Sequence, residues 1–240
     1  MNEHNVVLEM KNLSVGYYRD LNILSDLDVK ARKGQITTIL GANGVGKSTA
    51  LKAAFGFLQP NQGDILLGGE SILGVPTHEK ILKGLAYIPQ QPGVFKDMSV
   101  EENLELGGWT FRSDKKQVRR KIEANYERFP ALRDKRRQIT GELSGGQQRM
   151  VEIGRTLMSE PQMLLVDEPT AGLSKMLAEE VYAMLTDLAK IDKLTILLVD
   201  QEIRHALKIA DYVYVLELGR NKFEGPASDF DDLEKAFWIA

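Results

Sequence analysis

The chain has 240 residues, 43% of them apolar and 27% charged, which suits one large domain with a sizeable core and not a disordered polypeptide. A formal net charge of −3 argues against a general nucleic-acid binder, and the absence of cysteine excludes disulfides and thiolate metal sites. No apolar run approaches the roughly 18–20 residues of a membrane helix, and Met1-Asn2-Glu3-His4-Asn5 is polar with no signal-peptide core behind it, so a cytoplasmic location is expected, with any membrane role reached through a partner.

In chain order, residues 6–15 alternate loosely and read as a strand, and residues 26–30 as a second strand paired with it near an edge. Ile36-Thr37-Thr38-Ile39-Leu40 is a β-branched run that stops at Gly41, and residues 50–57 read as the helix that follows. Residues 63–69 look like a strand entering a hairpin turn, and Leu85-Ala86-Tyr87-Ile88 like a strand ended by Pro89. From about Val100 to Glu160 the chain is charged and helix-favouring, which predicts a helical subdomain at about 92–160 inserted into the sheet. Three short apolar runs follow, at 163–166, 195–199 and 213–216, the first two separated by a helical pattern over 177–191. Buried parallel strands with crossover helices produce this alternation. The expected fold is therefore α/β, with a parallel-rich sheet, an N-terminal antiparallel β subdomain and the helical insertion, all within one domain spanning 1–240; the G-x-x-x-x-G-K-S pattern from Gly41 to Ser48, between the strand at 36–40 and the helix at 50–57, makes its core that of a P-loop nucleotide hydrolase. There is no internal repeat and no low-complexity linker.

Gly41-Ala42-Asn43-Gly44-Val45-Gly46-Lys47-Ser48 is a complete G-x-x-x-x-G-K-S loop between a strand and a helix. Backbone N–H groups of such a turn converge on phosphates, helped by the helix dipole, and Gly41, Gly44 and Gly46 leave room for that approach. Lys47 is aimed at the outer phosphates, and the Ser48 hydroxyl is offered to Mg²⁺. Asp167 ends an apolar run, where a carboxylate can hold Mg²⁺ through its water shell. Glu168 beside it suits a general base that polarises water for attack on the γ-phosphate.

Together with Leu143-Ser144-Gly145-Gly146-Gln147, these residues carry a resemblance, running almost end to end, to the ATP-binding subunits of ABC transporters. The resemblance implies that Ser144, Gly145, Gly146 and Gln147 cap the γ-phosphate of ATP held by the opposite subunit. Ser144 suits a helix cap, and the glycines would expose N–H groups to an anion. It further implies that Gln90 (with Gln91 the alternative) senses Mg²⁺ and the attacking water and links to the membrane subunit. Tyr17 (or Tyr18) would stack on adenine, and Asn43 and Thr49 would flank the triphosphate.

Two positions depart from the family pattern. Gln201 stands where a His usually bridges the γ-phosphate and the catalytic Glu; an amide donates a hydrogen bond but carries no proton. Ala171-Gly172-Leu173-Ser174 lacks the Asp common at the end of the intersubunit loop. Both bear on the chain's own site, where Glu168, Gln201 and Lys47 are the candidate catalytic residues and Ser48, Gln90 and Asp167 the candidate metal contacts.

Gln201 also resembles the branched-chain amino acid uptake subgroup, as do Val94-Phe95, Ser99-Val100-Glu101-Glu102-Asn103-Leu104, Ile209-Ala210-Asp211, Val215-Leu216-Glu217 and the short tail ending near Ala236-Phe237. The implied machine is an ATPase using ATP and Mg²⁺. It pairs with a second, similar subunit (a homodimer in isolation being possible) on two transmembrane permease subunits at the cytoplasmic face of the membrane. Urea or short amides are the alternative cargo. A soluble DNA-repair or translation-type ABC ATPase is disfavoured, because only about 90 residues separate the phosphate loop from the signature, one nucleotide unit is present, and the charge is acidic. A binding-only regulatory subunit is disfavoured by the retained Lys47, Asp167 and Glu168. The basic run Arg133-Asp134-Lys135-Arg136-Arg137 reads as a solvated face, with lipid headgroups as a lesser alternative.

Overall fold

A computed structural model describes residues 5–18 and 21–230; the tail expectation at 236–237 lies outside the described residues. Two sheets share the fold. The smaller is antiparallel, formed by β1 (Val6–Val15), β2 (Leu24–Arg32), β4 (Gln62–Leu67) and β5 (Glu70–Ser71) in the order β2-β1-β4-β5. The expected hairpin after Gly63 is the β4–β5 pair. The larger has β3 (Ile36–Gly41), β6 (Leu85–Ile88), β7 (Met163–Asp167), β8 (Thr195–Val199), β9 (Tyr212–Glu217) and β10 (Arg220–Pro226), ordered β10-β9-β3-β8-β7-β6. All its pairings are parallel except β9–β10.

Strands β3, β7 and β8 are buried at every position, because both faces of this sheet are covered. Leu164, Val166, Ile196 and Leu198 point to one side, into a core shared with α3 (Val100–Gly107), α4 (Lys115–Arg128), α6 (Gly145–Leu157) and α7 (Lys175–Lys190). Met163, Leu165, Leu197 and Val199 point to the other, toward α1 (Lys47–Phe55) and the antiparallel sheet. Every described element between β6 and β7 is helical, α5 (Pro130–Asp134) completing the set.

Helix α1 begins at Lys47 and ends at Phe55, two residues short of the expected end. Gly56, at φ 99°, stops it, its N–H taking the carbonyls of Lys52 and Ala53. Strand β10 was not expected, since Arg220-Asn221-Lys222 masks its pattern. It pairs antiparallel with β9 and touches the other sheet through Asn221. That side-chain amide accepts from Asp28 N–H (2.9 Å) and donates to Asp28 C=O (2.8 Å). Two short helices, α2 (Thr77–Leu82) and α8 (Ile203–Ile209), also lie outside the sequence-based elements.

Candidate active site

The phosphate loop leaves β3 in the middle of the larger sheet and enters α1. Gly46 sits at φ 108°, and a Cβ there would lie 2.5 Å from Leu24 Cδ2, so the turn into the helix excludes a side chain. Ala42, Asn43 and Gly44 are exposed at the tip, and Gly41, Lys47 and Thr49 are buried. Lys47 Nζ donates to the carbonyls of Gly41 (2.9 Å) and Ala42 (3.1 Å). Burial pulls its ammonium below the ordinary value, and Glu168, Asp200 and Asp167 pull the other way.

Strand β7 ends in one carboxylate, Asp167, and a second, Glu168, follows it directly. Ser48 Oγ donates to Asp167 Oδ1 at 2.7 Å, and Tyr87 O–H to Asp167 Oδ2 at 3.0 Å. Burial raises the Tyr87 phenol, and Asp167 reinforces the shift, which keeps it a donor. Glu168, 8% exposed, sits at φ 42°, a left-handed conformation costing on the order of 1–3 kcal/mol for a side chain with a Cβ. Its N–H donates to Val199 C=O at 2.8 Å, and its Oε2 accepts from Gln90 Nε2 at 2.7 Å. Burial raises the Glu168 carboxyl, with Asp167 and Asp200 adding to it, against Lys47 and the Gln90 hydrogen bond. A carboxylate held this way is a better proton acceptor than a solvated one.

The structure thus brings Lys47, Ser48, Asp167, Glu168 and Gln90 together, and Gln90, not Gln91, touches Glu168. Tyr17, 54% exposed, lies beside α1, with Lys52 Nζ 6.0 Å from its ring centroid and 3.4 Å from its hydroxyl; Tyr18 is 75% exposed. Gln201 is exposed at the end of β8, its N–H donating to Asp200 Oδ1 at 2.8 Å. Among the described residues no cluster of three or more His, Cys, Asp or Glu builds a metal cage. The convergent Ser48 and Asp167 oxygens fit a hard cation that keeps most of its shell as water and phosphate oxygen.

Ser144 caps α6. Its Oγ accepts from Gln147 N–H and its N–H donates to Gln147 Oε1, both at 3.3 Å, a reciprocal capping box. Ser144 and Gly145 are exposed, whereas Gly146 is buried against α7, where a Cβ would lie 2.7 Å from Leu177 Cδ2. The second signature glycine therefore has a packing role beside any role toward an anion.

Sequence reasoning missed the support around the site. Arg149 and Glu152, each 1% exposed, pair at 2.6 Å inside α6. Arg149 donates to the carbonyls of Pro89 and Gln90, Glu152 accepts from Gly93 N–H at 2.7 Å, and Arg155 donates to Gly93 C=O at 2.6 Å. This clamp holds the segment carrying Gln90. Its signal was available: Gly146, Arg149 and Glu152 recur at spacing three, which puts two charges on a helix face otherwise meant for the core.

Residues 24–171 match the ABC transporter family model. The chain is 39% identical over 229 residues to the probable branched-chain amino acid transport ATP-binding protein LivF of Archaeoglobus fulgidus, covering 95% of this chain and 96% of that one. It is 40% identical over 204 residues to the high-affinity branched-chain amino acid transport ATP-binding protein BraG of Pseudomonas aeruginosa, covering 85% and 86%. The fold superposes on cbiO1 of Clostridium perfringens, part of an ABC transporter complex, with a TM-score of 0.87 at 27% identity, covering 98% and 94%. The chain belongs to the ABC transporter family, as an ATP-binding and ATP-hydrolysing domain. No helix among the described residues is long and apolar enough to cross a membrane.

Proposed function

We propose that this chain powers an importer of branched-chain amino acids as one of two paired ATPase subunits docked on two transmembrane permease subunits at the cytoplasmic face of the membrane. The cargo reading is supported by the likeness to LivF and BraG over nearly the whole chain. Each subunit would hold ATP on its own phosphate loop and cap the other's with Ser144, Gly145, Gly146 and Gln147. The helices at about 92–160 would act as the subdomain that carries this signature, joined to the rest by the Gln90 segment.

In the chain's own site, Lys47 and the loop N–H groups orient the triphosphate. Ser48 and Asp167 would hold Mg²⁺, which when bound offsets phosphate charge. Glu168 takes the proton of the attacking water, and Gln90 holds its carboxylate in place. The 2.7 Å contact between Gln90 and Glu168 is the observation that carries the hydrolytic reading, because it ties the proton acceptor to the segment expected to meet the permease. In the reconstituted pair, Glu168→Gln should lower this site's turnover by about 100-fold or more with ATP binding retained. Unchanged turnover would mean that this site does not hydrolyse.

A further inference from the structure

Tyr182 lies on α7, 4% exposed, and is no part of the loops described above. Its O–H donates to Asp200 Oδ2 at 2.8 Å, and its oxygen lies 3.1 Å from Thr170 Oγ1. A phenol has one proton to donate; with that O–H directed at the carboxylate, Thr170 is the donor in the second bond. Thr170 and Asp200 are 6% and 1% exposed. Asp200 Oδ1 accepts from the N–H groups of Gln201 (2.8 Å) and Glu202 (3.0 Å), so this carboxylate shapes the turn that presents Gln201.

On the other side, Thr170 is two residues beyond Glu168. Its C=O accepts from Leu173 N–H at 3.0 Å, and a Cβ on Gly145 would lie 3.1 Å from Leu173 Cδ2. The Tyr182 ring stacks on His205 of α8, centroids 5.4 Å apart and planes 2° from parallel. A tyrosine buried for packing alone needs one partner for its hydroxyl. This one bonds to two loops that leave the ends of two different strands, β7 and β8.

We infer that Tyr182 is a positioning residue that ties the Gln201 turn to the loop between Glu168 and Leu173, so that the two sides of the hydrolytic site, and the signature segment resting on Leu173, keep one relative geometry. This rests on the reading that Glu168 and Gln201 serve ATP hydrolysis. Tyr182 itself touches no reacting atom; the link works because a buried hydroxyl bonded on both sides resists sliding of either loop.

The test is steady-state ATP hydrolysis by the transporter assembled with wild-type chain, Tyr182→Phe, Thr170→Val, the double variant and Glu168→Gln, with thermal melting of each chain. Tyr182→Phe keeps the ring and its stack, and Thr170→Val keeps the shape. Each single variant should lower kcat about tenfold with KM for ATP within about twofold, since small misplacements of catalytic groups cost rate and not binding. The double variant should be no slower than the slower single, because either change severs the same link. A kcat within twofold of wild type in a folded single variant would overturn the inference, as would losses that multiply in the double. If Tyr182→Phe does not fold, Thr170→Val decides by the same criteria. Equal turnover by wild type and Glu168→Gln would sink the site reading and this inference with it. A Glu168-dependent rate that survives Tyr182→Phe would sink the inference alone.

Discussion

Gly146 shows how one missing methyl can hold two elements together. The first turn of α6 lies so close to Leu177 that a Cβ would stand 2.7 Å from Cδ2 and 3.3 Å from Cγ. Gly146→Ala should therefore destabilise the chain in urea unfolding by up to about 1 kcal/mol, crowding outweighing the better helix propensity of alanine, and that cost should shrink when the same substitution is made in a Leu177→Ala background. A destabilisation that Leu177→Ala leaves untouched would show that crowding is not the cause. Gln201 tests a different property. If its amide donates a hydrogen bond in turnover, Gln201→His should stay within about threefold of wild type and Gln201→Ala should fall about tenfold or more. Equal rates in all three would remove Gln201 from the chemistry.

At the scale of elements, the clamp from α6 decides where Gln90 can sit. Arg149 and Glu152 are desolvated; burial lowers the guanidinium and raises the carboxyl, and each partner opposes the other's shift. Arg149→Met alone leaves Glu152 buried without its cation and should cost about 3–5 kcal/mol in unfolding free energy. Replacing both, Arg149→Met with Glu152→Leu, should restore most of that stability yet leave the Pro89 and Gln90 carbonyls without the Arg149 donors and the Gly93 N–H without its acceptor, with only the Arg155 bond to Gly93 C=O remaining. The double variant is then expected to melt near wild type but hydrolyse ATP several-fold more slowly. Full activity in it would make the clamp purely structural.

The elements that sequence reasoning found and missed divide along a physical line. Strands β3, β7 and β8 were legible because burial on both faces demands unbroken apolar runs. Strand β10 was not, since it is an edge with most positions exposed. That Lys47, Ser48, Asp167 and Glu168 lie together could be anticipated because the G-x-x-x-x-G-K-S loop and an Asp-Glu pair at the end of a buried strand are each local patterns. Arg149, Tyr87 and Tyr182 act through partners 60, 80 and 18 residues away, and no local pattern records such pairings.

For the whole molecule, exposed Ser144 and Gly145 and the phosphate loop would serve different ATP molecules. Ser144→Arg should then leave ATP binding by the isolated chain within about twofold of wild type, while lowering hydrolysis at the partner's site about 100-fold by blocking approach of the anion. Nucleotide affinity lost in the isolated chain would contradict this division of labour. A mixed assembly, in which only this chain carries the substitution, separates the two sites.

The strand order also bears on synthesis. Strand β3 is made early, but its two neighbours are β8 and β9, from the last third of the chain. Asn221 closes the two sheets on each other 193 residues after Asp28. The loop at residues 41–48 leaves the ribosome long before the two strands that flank β3. Nucleotide is therefore not expected to guide the early stages of folding on the ribosome, and a chain halted before about residue 195 would carry a complete phosphate-binding motif with neither strand that flanks β3 in place.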